Sequence, residues 1–119
     1  MKKTNKKTNK KTGISELREL QGGLIWADRT GFVITLGLTD AGLESVGEVN
    51  SIEMPTPDAA VEKDEVLLVV DGSYGTLEVK SPAEGVLVEV NESVEQDPRY
   101  VNDDPFESGW LVRIKVKKI

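Results

Sequence analysis

Among its 119 residues the sequence contains no cysteine and no histidine. Without thiols there is no disulfide framework and no thiolate metal site, and without imidazole the usual zinc and iron sites lack their ligands. Ser-His and Cys-His nucleophilic catalysis are excluded on the same grounds. Long apolar runs are missing too. No stretch approaches the ~20 residues of a membrane-spanning helix, and Met1-Lys2-Lys3-Thr4-Asn5 leads into more Lys, Thr and Asn rather than a hydrophobic signal segment. The expected location is the cytoplasm, with no membrane span.

Basic residues are scarce outside the first twelve positions. Six of the fifteen are Lys2, Lys3, Lys6, Lys7, Lys10 and Lys11, so residues 13–119 hold nine basic against twenty-one acidic residues, a net charge of -12. The basic segment is close to a tetrapeptide repeat of Lys-Lys-Thr-Asn with no apolar residue after Met1. Nothing in it can be buried to offset the entropy of ordering, which predicts a disordered tail over 1–12 and a folded domain over 13–119. Such an arm suits a phosphate backbone, an anionic membrane surface or the protein's own acidic face. It has no interleaved aromatics, and no nucleic-acid partner is assigned.

The remaining length suits one domain with one core. Ile14, Leu17 and Leu20, three apart, predict one or two helical turns that end at Gln21-Gly22-Gly23. Leu24–Ala27 and Phe32–Leu36 flank Asp28-Arg29-Thr30-Gly31 as a β-hairpin. Thr39 is placed to cap a short helix through Ser45, with Gly47 ending it. Short strands follow near Val49–Met54, Glu65–Val70, Thr76–Lys80, Gly85–Asn91 and Trp110–Val116. Many short strands, one short helix and Gly or Pro at nearly every junction predict a small all-β barrel or sandwich.

Within that pattern, Val69-Val70-Asp71-Gly72-Ser73-Tyr74-Gly75-Thr76-Leu77-Glu78-Val79-Lys80-Ser81-Pro82 reads as a tight hairpin, with two glycines supplying the freedom a reversal needs. It is similar to the cofactor-carrying turn of lipoyl and biotinyl domains. Asn91-Glu92, then Pro98, Val101-Asn102, Pro105-Phe106, Gly109-Trp110-Leu111 and Ile114 follow it. This succession resembles the H protein of the glycine cleavage system, as do Gly37-Leu38-Thr39-Asp40 and Val46-Gly47-Glu48-Val49 upstream. The resemblance runs from Leu24 to Val116. It implies a barrel-sandwich hybrid, lipoyl-domain-like, with the carrier turn projecting at one end. In the family a helical segment follows the closing strand, whereas the sequence here runs to Lys117-Lys118-Ile119.

The resemblance also implies a lysine at the turn whose lipoyl arm takes an aminomethyl group from the decarboxylating enzyme to the aminomethyltransferase. Counting back from Ser81-Pro82, that position holds Tyr74. A phenol with a pKa of about 10 is a poor nucleophile at neutral pH and is not what lipoate-attaching enzymes acylate. The family's turn reads approximately Glu-Ser-Val-Lys-Ala; here those places are Asp71, Gly72, Ser73, Tyr74 and Gly75, and only the acidic residue is kept in kind. The reading is therefore an H-like protein without lipoate, neither an enzyme nor a metal site. Its candidate partner-binding residues are Asp71, Tyr74 and Glu78, and its family-implied partner is a glycine-cleavage or lipoate-handling enzyme. Lys80, six residues past the turn position, and Lys63 are the attachment sites if it is a working carrier. A structural barrel-sandwich module of a larger transport or carboxylase assembly is a third reading. Eight acidic residues from Glu84 to Glu107, with Arg99 the single cation among them, read as a solvated face or as a patch that steers a basic partner. Trp110 and Phe106 are expected to pack in the core or at a corner.

Overall fold

The computed structural model describes residues 15–116, so the tail expected over 1–12, and Ile14, lie outside the described residues. A meander of β1 (Ser15–Leu20), β2 (Ile25–Thr30) and β3 (Val33–Leu38) leads into α1 (Asp40–Val46). There follow β4 (Val49–Glu53), β5 (Ala60–Val61), β6 (Val66–Gly72), β7 (Thr76–Lys80) and β8 (Gly85–Val90), then α2 (Glu92–Gln96), α3 (Arg99–Asp103) and β9 (Val112–Val116). The strands form a six-stranded sheet in the order β1-β2-β3-β9-β8-β5 and a three-stranded sheet in the order β4-β6-β7. The arrangement is all-β, as the strand pattern predicts, and is the barrel-sandwich hybrid that the resemblance implies.

Two expectations need correction. The spacing of Leu17 and Leu20 predicts helix, yet Ser15–Leu20 is a strand paired to β2 from Ser15↔Thr30 to Leu20↔Ile25. Residues three apart fall on opposite faces of a strand; Leu17 is 53% exposed, whereas Leu20 packs on the core. Sheet pairing along the whole segment outweighs a weak helical spacing. Second, the described residues form three short helices rather than one. The Pro98–Asn102 turn is the single-turn helix α3, and Asn91 starts α2 by accepting a hydrogen bond from Ser93 N–H at 3.1 Å. The expected α1 is present: Thr39 Oγ1 accepts from Gly42 N–H, and Gly47, at φ 78°, ends the helix.

The core forms where period-two alternation turns one face of each sheet inward. Ile25 and Ala27 of β2, Ile34, Leu36 and Leu38 of β3, Leu87 of β8 and Val112, Ile114 and Val116 of β9 meet Val49, Ile52, Leu68, Val70 and Val79 of the smaller sheet. Trp26 points the other way and is still buried. Opposite it in register stands Gly37, where any Cβ would strike the indole. Phe106 stacks on the Trp26 ring at 5.7 Å, and Nε1 donates to the Pro105 carbonyl at 3.1 Å. The chain after α3 is thus folded over the outer face of β2 and β3. The Arg113 guanidinium covers Trp110 at 4.0 Å. Both aromatics pack at a corner, Phe106 remaining 48% exposed.

The outer edge of β7 is closed by a side chain. Gln21, at φ 53° between β1 and β2, donates from its amide to Glu78 O and accepts from Lys80 N–H, both at 2.8 Å. The amide takes the place of a neighbouring strand and ties the first hairpin to the smaller sheet. Gln21→Ala is expected to cost about 1 kcal/mol, net of solvation. It should lower the urea midpoint without changing the slope. Gln21→Glu, which keeps the acceptor and loses the donor, should fall between the two.

Candidate functional site

The hairpin of β6 and β7 is built by strict cross-strand pairing, Val69↔Glu78, Val70↔Leu77 and Asp71↔Thr76, which leaves Ser73, Tyr74 and Gly75 as its tip. Gly72 N–H closes the turn on Gly75 O at 2.9 Å. The tip is not held out alone. Tyr74 N–H donates to Val46 O at 2.8 Å and Ser73 N–H to Glu48 O at 2.9 Å, while Ser73 Oγ accepts from Glu48 N–H at 3.0 Å. Three hydrogen bonds therefore seat the tip on the elbow between α1 and β4.

The approach is close enough to require glycine on both sides. A Cβ on Gly47 would lie 2.5 Å from Ser73 Oγ and 3.0 Å from Cγ and Cδ2 of Tyr74. Any Cβ on Gly72 would strike the Val46 carbonyl oxygen. The Tyr74 ring leans on Gly47 with one edge and is otherwise in solvent. At 79% exposure it is the most exposed large apolar side chain among the described residues.

Asp71 and Glu78 are both exposed, on the same face of the hairpin. Because Asp71 stands opposite Thr76 and Glu78 opposite Val69, the two carboxylates are diagonal neighbours, with Cα atoms roughly 7–8 Å apart. They do not form the tight pair that general acid-base chemistry uses. Glu48, also exposed, adds a third carboxylate at the elbow. The tip is an aromatic ring within an acidic surround.

The two lysines considered for attachment lie elsewhere. Lys80 pairs with Val66 at the base of the hairpin, about 20 Å along an extended strand from Tyr74. Lys63 is exposed on the turn between β5 and β6, where Asp64 N–H donates to Ser81 O at 2.8 Å. That bond places Lys63 near the Lys80 end and away from the tip. Among the described residues, no group of three or more Asp or Glu is arranged to hold a metal ion. None of their helices is long and apolar enough to cross a membrane.

Two residues that shape the site enter the sequence reading only as part of the family pattern, with no role attached to either. Asn102 accepts from Val49 N–H at 2.9 Å and donates to Gly47 O at 3.2 Å, and Glu48 clasps Ser73 across 25 residues of chain. Asn102 and Glu48 carry a sequence signal only through the family pattern, and nothing local to either shows its partner. The acidic run extends from the turn before β8 through β8, α2, the α2–α3 junction and α3 to the segment after α3. There Arg99 binds Asp97 through two contacts of 3.0 Å, and Arg113 binds Glu89 at 2.8 Å. The hydrogen bond from Arg99 holds the Asp97 carboxyl below the usual carboxylate range. Both partners are well exposed, so the pair contributes little to stability.

Two facing antiparallel sheets with a tight hairpin presenting one residue make this a lipoyl-type domain. A family model described as glycine cleavage H-protein matches residues 17–119. Glycine cleavage system H protein 3 of Arabidopsis thaliana mitochondria is 33% identical over 90 residues, which cover 76% of this chain and 54% of that protein. The H protein of Thermus thermophilus is 36% identical over 90 residues, covering 76% of this chain and 70% of that one. The chain therefore spans about half the length of the plant relative. In fold, it superimposes on the crystal structure of the glycine cleavage system H protein of Mycobacterium marinum with a TM-score of 0.72 and 24% identity, covering 80% of each chain. The chain belongs to the glycine cleavage H-protein family.

Proposed function

We propose that this protein is an H-like docking module that carries no lipoyl group and binds an enzyme of glycine cleavage or lipoate handling through its hairpin tip. The observation that carries this reading is Tyr74, 79% exposed on a seated tip, at the position where the family resemblance implies a lysine. An amide to lipoate needs an amine. Asp71 to Thr76 offer carboxylate, hydroxyl and phenol groups, so the tip does not fit that cofactor. Lys80 and Lys63 lie at the other end of the hairpin, where a ligase that recognises a tip would not meet them.

The tip keeps what recognition requires. A tyrosine with two side-chain torsions supplies contact area at low entropic cost and is among the commonest interface anchors. Its seat is fixed in advance by three hydrogen bonds, two between backbone groups and one accepted by the Ser73 hydroxyl, so little ordering remains for the complex. Asp71, Glu78 and Glu48 surround it with negative charge, which favours a partner pocket rimmed by Lys and Arg and speeds encounter at low salt. No side chain of the tip performs a chemical step; the role is to bind and to occupy.

Titration against the purified decarboxylating enzyme and aminomethyltransferase of the glycine cleavage system tests the reading. One of them is expected to bind the intact protein, with Tyr74→Ala weakening the complex by about 30-fold or more. Asp71→Asn with Glu78→Gln should slow association and flatten its salt dependence. Equal affinity of wild type and Tyr74→Ala for every enzyme of the system would remove the tip from the interface.

A further inference from the structure

We infer that Asn102 is the positioning residue of the tip, acting through the segment Val46–Val49. The inference rests on the reading of the tip as the functional surface and names what holds it in place. Along this short segment the backbone groups alternate between two clients. Val46 O, Glu48 N–H and Glu48 O bond to Ser73 and Tyr74 on one side. Gly47 O and Val49 N–H bond to the Asn102 amide on the other.

The segment has little else to define it. Gly47 sits at φ 78°, ψ -145°, outside any regular element, and β4 has a register irregularity between Val49 and Ser51. A glycine elbow leading into an irregular strand would sample several poses if left alone. The Asn102 side chain satisfies a carbonyl and an amide two residues apart, as a strand neighbour would, and so selects one pose. Asn102 is itself well anchored. Val101 beside it is fully buried, and Gly109 lies so close that a Cβ there would come within 2.7 Å of Tyr100 O and 2.8 Å of Asp104 O. Phe106 on Trp26 and the indole bond to Pro105 O fasten that loop to the six-stranded sheet. The tip is therefore referenced to the larger sheet through Asn102, in addition to its own hairpin.

Amide hydrogen exchange on the full-length protein tests this, because it reads the tip itself and needs no partner. In Asn102→Ala, the amides of Ser73 and Tyr74 are expected to exchange roughly tenfold faster or more, along with Val49, through local opening. Core amides on β3 and β9 should change less than twofold. Asn102→Asp keeps the acceptor for Val49 N–H and loses the donor to Gly47 O, so Val49 should stay protected while Ser73 and Tyr74 rise partway. This variant also serves if the alanine form does not fold. A rise confined to Val49, or an equal rise at every amide, would overturn the inference, since Asn102 would then be a local cap or a general stabiliser. Faster exchange at the tip, together with unchanged partner affinity of Tyr74→Ala, would uphold the positioning role while removing the docking reading on which it was built.

Discussion

Gly72→Ala is expected to destabilise the protein by about 3 kcal/mol and to free the hairpin tip from its seat. The added methyl meets the Val46 carbonyl oxygen, with the Val46 carbonyl carbon 2.9 Å and its Cβ 3.0 Å away. These atoms belong to the last turn of α1 and cannot swing aside as a flexible side chain would. Instead the neck of the hairpin must lift, and with it go Tyr74 N–H to Val46 O, Ser73 N–H to Glu48 O and the Ser73 hydroxyl bond. Urea unfolding measures the loss as a lower midpoint at constant slope. A change below about 0.5 kcal/mol, the range of ordinary surface substitutions, would mean that the tip is not seated on the elbow.

Asn91→Ala is expected to cost a similar amount, about 3 kcal/mol, or roughly 12–24 °C in Tm for a domain of this size. The side chain is 6% exposed. Its oxygen caps α2 at Ser93 N–H, and its amide donates to Ser108 O at 2.9 Å and Trp110 O at 2.7 Å. Alanine removes a cap worth about 1 kcal/mol and leaves two partly buried carbonyls without a donor. Asn91→Asp separates these contributions. It keeps the cap and turns a donor into a second acceptor facing both carbonyls, so the folded state disfavours the charged carboxylate and raises its pKa. The folded form then binds more protons than the unfolded one, and stability should recover as pH falls into the carboxylate range. Calorimetry of the two variants between pH 4 and 8 checks both points; a pH-independent Asn91→Asp penalty would show that the amide does not face those carbonyls.

The strands that were legible in the sequence are those with strict alternation and strong punctuation. Phe32–Leu36 alternates inward and outward, and Thr39 and Gly47 mark the ends of α1 with side-chain and backbone chemistry that needs only neighbouring residues. Strand β1 is not legible locally, because Leu17 and Leu20 obey a helical spacing and only the distant pairing to β2 overrides it. Helices α2 and α3, of five residues each, are too short for any periodicity to show. The hairpin follows from local turn chemistry, and the place of Tyr74 at its tip from the family pattern; the 79% exposure of the ring is seen only in the structure. The seat of the tip is not legible locally, because the bonds that make it join residues 25 to 55 positions apart. Nothing local to Asn102 says that its amide faces Gly47, just as nothing local to Gln21 says that it closes β7.

Tyr74 stands on a tip seated by three hydrogen bonds, and the central claim is that this tip carries no cofactor. Intact-mass measurement of the protein, coexpressed with a lipoate ligase and with an octanoyltransferase, decides it. The expected result is the unmodified mass for the wild type. A lipoyl or octanoyl adduct on the wild-type protein, mapped to Lys80, Lys63 or any other lysine, would contradict it and make the protein a working carrier.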